Sequence, residues 1–300
     1  MMAVATQQLR GELRLREPMA RHTTWRTGGI ADRLYRPADL ADLQLFLAQL
    51  PDDELLTWCG LGSNLLVRDG GIRGTVILTA QGLEELAQTG ERTVRAEAGV
   101  HCARVSKFCS QRGLAGAEFF IGIPGTIGGA LTMNAGAFGG ETWERVIEVE
   151  TIDRHGRLRK RLPAEFEVGY RHVVGTAGEW FAACTLQLEP GDAEAAAERA
   201  RLLLAQRSAS QPIGKPSAGS VFRNPPGDHA ARLIEASGLK GTRIGGAEVS
   251  EKHANFILNT GTARAEDIEA LIGRIQHEVQ LQQGILLQPE VRIIGENLQP

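Results

Sequence analysis

A chain of 300 residues with 42% hydrophobic and 23% charged residues has the balance of an ordinary globular protein with room for two or three lobes, which excludes the disordered and collagen-like classes. Apolar runs such as 76–78 and 285–287 fall far short of the roughly 20 residues of a membrane span, and the first 17 residues hold no secretory apolar region, so a cytoplasmic protein without membrane insertion is expected. A net charge of −3 argues against nucleic acid as the main partner, and Cys59, Cys102, Cys109 and Cys184, with no C-x-x-C pair, read as buried thiols rather than a metal site.

In chain order, 39–50 places Leu40, Leu43, Phe46, Leu47 and Leu50 at helical spacing before Pro51. A short apolar strand, 54–59, runs into Gly60-Leu61-Gly62-Ser63-Asn64, and further strands are expected at 74–78 and 93–98. Cys102, Val105 and Cys109 mark one face of a helix that Gly113 can end. The first half therefore alternates strands and helices in an α/β manner. Segments 146–152 and 158–162 form a hairpin around Asp153-Arg154-His155-Gly156, 180–188 is a strand, and 193–207 is rich in good helix formers. Asp228 is expected to cap a helix that Gly238 ends, and 256–258 and 291–294 read as strands. The clearest amphipathic helix carries Ile268, Leu271, Ile272, Ile275 and Val279 on one face and stops at Gly284.

The residues that carry chemistry cluster in loops. Gly60-Leu61-Gly62-Ser63-Asn64-Leu65 fails the dinucleotide fingerprint, because Leu65 stands where a third glycine belongs and no acidic residue follows at the usual distance. Its glycines would still let backbone N–H groups approach an anion, with Ser63 and Asn64 adding donors; a strand-ending turn explains them equally well. A second cluster holds Gly122, Gly125, Gly128, Gly129, Gly136, Gly139 and Gly140 with Pro124 and Asn134. Two such turns suggest a long ligand with a pyrophosphate, against the alternative of a flexible surface loop. Walker A, H-E-x-x-H and G-x-S-x-G patterns are absent from the sequence. His253 and the Tyr170-Arg171 pair, taken alone, read as structural or surface residues, and Glu290 as an edge-strand carboxylate.

Seven motifs in order, HTTWRTGG, GLGSNLL, IPGTIGGALTMNAGAFGGE, GYRHV, PSAGSVFRNP, IGGAEVSEKHANFILN and LQPEVRIIG, span 22–295. Together they closely resemble the UDP-N-acetylenolpyruvoylglucosamine reductase (MurB) family of bacterial peptidoglycan synthesis. The resemblance implies an α+β chain: a vanillyl-alcohol-oxidase-like (PCMH-type) two-lobed FAD-binding fold with a C-terminal α+β substrate-binding domain. The expected divisions are 1–79 and 80–206 for FAD and 207–300 for substrate, the last strand either staying there or returning to the FAD-binding region.

The implied reaction takes a hydride from NADPH through non-covalent FAD to the enolpyruvyl group of UDP-N-acetylglucosamine-enolpyruvate, giving UDP-N-acetylmuramate. Ser220 matches the proton-donating serine, Arg171 the arginine facing the substrate carboxylate, and Glu290 the catalytic glutamate. Cofactor contacts fall on Thr27, Gly28, Gly60, Gly62, Ser63, Asn64, Leu65, Pro124, Gly125, Gly128, Gly129, Asn134, Gly136 and Ala137. Substrate contacts fall on Tyr170, Lys215, Arg223, Asn224, His253 and Arg292; no metal and no obligate protein partner is implied. The chain departs from longer members in lacking an inserted segment with a diphosphate-clamping tyrosine, and Phe138 replaces a tyrosine seen in some members. The rival readings are another FAD-dependent oxidase of the same superfamily and a non-catalytic nucleotide-sugar sensor.

Overall fold

The computed structural model describes residues 8–298. Within that span the chain divides into two compact units, each assembled from separated segments: 8–14, 33–60 and 74–200 in the first, and 15–32, 61–73 and 201–298 in the second.

In the first unit helix α1 (Leu40–Ala48) starts after Asp39, whose side chain accepts from the Asp42 amide, the expected role of a carboxylate at a helix start. The strands Leu56–Cys59 and Ile72–Leu78 pair in parallel over Leu56↔Thr75 to Cys59↔Leu78. The larger sheet runs in the order Leu158–Arg161, Val146–Asp153, Glu179–Gln187, Thr93–Glu97, Leu86–Gln88, and all four of its pairings are antiparallel. This corrects the α/β expectation for the first half. Alternating strand and helix signals do not fix which strands pair or in which direction. Helix α2 (Cys102–Ser110) buries Cys102, Val105 and Cys109, and the short α3 (Ile127–Thr132) forms inside the glycine-rich stretch. These elements share a core that includes Val105, Phe120, Ile127, Leu131, Trp143 and Val149. All four cysteines are buried free thiols, and burial pushes the Cys184 thiol up to about 12.

Helix α4 (Ala193–Ser210) leads from the first unit into the second. There α5 (Ala230–Ala236) and α6 (Ala265–Gln283) pack with the antiparallel strands Arg243–Ile244, Ala247–Val249 and Ile257–Asn259. The apolar face read from the sequence is the buried one, with Ile268, Leu271, Ile272, Ile275 and Val279 inward, and Gly284 ends α6 in the left-handed conformation at φ 71°. Asp228 does not cap α5: its carboxylate pairs with Arg232 and accepts the His229 amide, while the Ala230 amide at the start of the helix donates to Asn224 Oδ1 at 3.1 Å.

Early sequence belongs to this second core. Trp25 and Leu66 are buried with Phe222, Leu233, Ile257 and Ile268. Trp25 Nε1 donates to Ile257 O at 2.8 Å, and Asn259 Nδ2 returns a bond to Trp25 O at 2.8 Å. Asp69 receives the amides of Ala265 and Glu266 at the start of α6, at 3.1 and 3.0 Å, and Arg68 forks onto Glu269 one turn later. The strand Leu65–Val67 is thereby fixed to α6 at its far end. No helix among the described residues is long and apolar enough to cross a membrane.

Candidate active site

The second unit brings three of the sequence motifs together. Phe222 bridges Pro289 in antiparallel fashion. Around that bridge Glu290 N donates to Val221 O at 2.7 Å and Arg223 N to Gln288 O at 2.9 Å. Ser220, next in chain to Val221, is therefore carried beside the segment bearing Glu290. On the other edge of that segment, the strand Arg292–Ile294 runs parallel to Leu65–Val67, with Arg292 opposite Leu65. Asn64 spans the junction: its Nδ2 donates to Glu290 O at 3.1 Å, and its own carbonyl accepts the Arg292 amide at 2.9 Å.

Ser220 is half-buried and follows Gly219, whose φ of 73° favours glycine; a Cβ there would meet nothing within 4 Å. The serine is thus presented from a left-handed turn with one open side. Arg223 is half-buried, and its Nε is a buried donor without a partner among the described residues. Asn224 is engaged at the start of α5, and Arg292 is exposed. Lys215 lies on a cleft of about 420 Å³ with Lys252, Glu248 and Ser250. His253 stands edge-on to Phe256, accepts the Asn255 amide at Nδ1, and is held below the ordinary imidazole range by burial.

Of the early motifs, Thr27 and Gly28 also belong here. Thr23 Oγ1 donates to Thr27 O at 2.8 Å, and Gly28 takes φ 129° against Val67. Gly62, at φ 61°, has a protein reason to be glycine: a Cβ would collide with His22 O. Ser63, Asn64 and Leu65 follow in the same unit.

The first unit holds Gly60, the 124–137 segment and the Tyr170-Arg171 pair. The strands Glu167–Gly169 and His172–Val174 pair as a hairpin whose two-residue turn is Tyr170-Arg171, with Arg171 at φ 53°. The arginine guanidinium reaches Asn134 O at 3.2 Å and Gly136 O at 3.0 Å, and its Cζ sits 5.0 Å from the centroid of the half-exposed Tyr170 ring. Asn134 is itself buried; it donates to Glu141 and Gly169 and accepts the Trp143 amide. One network thus ties GYRHV to the turn of Asn134, Gly136 and Ala137. Around α3, Gly125 O accepts the Cys102 amide, and the Gly128 amide donates to Ala98 O, where a Cβ would press on Ala98 at 2.9 Å. Gly129 is more open, the nearest atom to its Cβ position being Thr126 Oγ1 at 4.0 Å.

Several residues in these sites escaped the sequence reading. In the first unit Thr126 Oγ1, against which a Cβ on Gly60 would collide, is a buried hydroxyl without a partner among the described residues. In the second, Thr24 Oγ1 is another, and the Thr24 amide donates to Gly62 O. Within the first unit, the buried hydroxyl beside Gly60 fits a cofactor rich in acceptor oxygens, as FAD is. Asn255, buried and bonded twice to Phe222, is the third omission. Among the described residues no group of three or more His, Cys, Asp or Glu side chains could hold a metal ion.

The match to known families decides between the readings. Residues 31–161 match an FAD binding domain, and residues 211–294 match the C-terminal domain of UDP-N-acetylenolpyruvoylglucosamine reductase. A reductase of that name from Alkalilimnicola ehrlichii is 67% identical over 296 residues, covering 99% of each chain.

The chain belongs to the UDP-N-acetylenolpyruvoylglucosamine reductase family.

A second family member, from Methylococcus capsulatus, is 61% identical and covers 93% of this chain and 92% of its own. The crystal structure of UDP-N-acetylenolpyruvylglucosamine reductase (MurB) from Thermus caldophilus superposes with a TM-score of 0.82 at 33% identity, over 95% of this chain and 99% of that one. The fold class read from the motif order, an FAD-binding α+β fold followed by the family's own C-terminal domain, is the one found.

Proposed function

We propose that this chain carries out the NADPH-dependent reduction of UDP-N-acetylglucosamine-enolpyruvate to UDP-N-acetylmuramate, as a cytoplasmic FAD-dependent oxidoreductase of peptidoglycan precursor synthesis. What supports this most is the bridge Phe222↔Pro289, by which the segment bearing Ser220 runs alongside the segment bearing Glu290 in a chain of this family.

Bound FAD would supply the hydride chemistry between NADPH and the vinyl carbon of the substrate. Thr27, Gly28, Gly60, Gly62, Ser63, Leu65 and residues of 124–137 would hold it, the buried Thr24 and Thr126 hydroxyls adding donors. In the proposed division, 1–79 and 80–206 serve FAD and 207–300 serves substrate.

Hydride arrival leaves negative charge on the neighbouring carbon and its carboxylate, so the protein must stabilise an enolate and return one proton. Ser220 gives that proton from Oγ to the enolate carbon. A hydroxyl is a weak acid in water, but an enolate is a strong base and a preorganised site lowers the mismatch. Arg171 pairs with the substrate carboxylate through a planar, permanently charged fork. Glu290 faces the enolpyruvyl group and orients the proton-bearing partner. Arg223, Asn224, Tyr170, His253, Lys215 and Arg292 contact the sugar nucleotide.

The test is consumption of NADPH by the purified protein with and without the enolpyruvyl sugar nucleotide. Substrate-dependent oxidation with a product two mass units heavier supports the assignment; substrate-independent oxidation with transfer to oxygen would support the oxidase alternative.

A further inference from the structure

We infer that Asn64 is a positioning residue for Glu290, an inference that rests on the proposed role of that glutamate. The sequence offers the Asn64 amide to an anion, but the structure engages it with protein: Nδ2 donates to Glu290 O at 3.1 Å. The Asn64 carbonyl accepts the Arg292 amide at 2.9 Å, so one residue grips the backbone on both sides of Val291. The opposite grip comes from Val221 O, which accepts the Glu290 amide at 2.7 Å. With its N–H held by the residue after Ser220 and its C=O held by Asn64, the Glu290 backbone is fixed on both sides.

Asparagine suits this place for a chemical reason. The acceptor is a carbonyl, so the side chain must donate, and an aspartate of the same shape would set oxygen against oxygen. The anchor is itself fixed, because the strand Leu65–Val67 that follows Asn64 is tied to α6 through Arg68 and Asp69. Catalytic groups lose about 10²-fold in rate when displaced by about 1 Å, so the bond acts on chemistry through geometry.

The experiment compares Asn64→Asp and the milder Asn64→Ser in the holoenzyme, alone and combined with Glu290→Gln, by stopped-flow absorbance and by FAD titration of apoprotein. Both single variants are expected to bind FAD within about threefold of wild type, to be reduced by NADPH at the wild-type rate, and to be reoxidised by the enolpyruvyl sugar nucleotide roughly 10- to 100-fold more slowly. In the Glu290→Gln background, Asn64→Asp is expected to slow reoxidation by less than about threefold more, because both changes remove one function. Weakened FAD binding with normal reoxidation, or full additivity in the double variant, would overturn the inference. Normal reoxidation in Glu290→Gln alone would instead remove the role of Glu290 itself, an outcome distinct from a slow Glu290→Gln paired with a fast Asn64→Asp.

Discussion

Asn255 holds Phe222 through both of its polar atoms: Oδ1 accepts the Phe222 amide at 2.9 Å and Nδ2 donates to the Phe222 carbonyl at 2.8 Å. The side chain acts as a one-residue strand partner on one edge of the 221–223 segment, while Gln288 and Glu290 occupy the other. Truncating it leaves a buried N–H and a buried C=O unpaired. Asn255→Ala is expected to cost about 2–4 kcal/mol of stability, read as a lower urea midpoint, and to slow substrate reduction because Phe222, two residues after Ser220, loses its clamp. An unchanged midpoint would show that the second unit does not depend on this clamp.

Arg171 spans two carbonyls, Asn134 O and Gly136 O, from a left-handed turn position. Lysine keeps the charge but offers one point of contact in place of a fork. Arg171→Lys is expected to lower the rate of substrate reduction on the order of 10²-fold and to leave flavin reduction by NADPH within about threefold of wild type. Equal loss in both half-reactions would assign Arg171 to holding the glycine-rich turn alone.

Ser220 follows Gly219, whose Cβ position is open to 4 Å. Ser220→Ala is expected to leave NADPH reduction of the flavin intact and to slow reoxidation by substrate about 10³-fold or more, since only that half-reaction consumes a proton. Rapid-mixing spectra separate the two, and a variant slow in both would deny Ser220 its role as donor.

Burial holds His253 below the ordinary imidazole range, with Lys240 acting in the same direction and a backbone hydrogen bond and Glu235 opposing it. A base whose folded pKa lies below its ordinary value near 6.5 adds stability above that value and loses it as pH falls through the folded pKa. The thermal midpoint should therefore decline as the pH falls below the ordinary imidazole value near 6.5, and His253→Gln should flatten that decline. A parallel decline in the variant would place the acid sensitivity elsewhere.

The elements that sequence alone made legible are those whose signal is local. The face of α6 follows from a 3.6-residue period and its end from Gly284, and the Val146–Asp153 hairpin follows from alternation around a turn. Strand direction was not legible, because one partner of Thr93–Glu97 is Glu179–Gln187, some 90 residues later, and no periodicity encodes that choice. The short α3 was hidden by the glycines inside it. Candidate site residues could be named from motif order, but their supports could not. Asn64 meets Glu290 across 226 positions and Asn255 meets Phe222 across 33, bonds that exist only once the second unit is folded.

The most direct measurement is an anaerobic visible spectrum of the purified flavoprotein after one equivalent of NADPH, and again after adding UDP-N-acetylglucosamine-enolpyruvate. Loss of the flavin band followed by its return is the predicted result. Loss without return would contradict the assigned substrate, and a protein that binds no FAD on reconstitution would contradict the account as a whole.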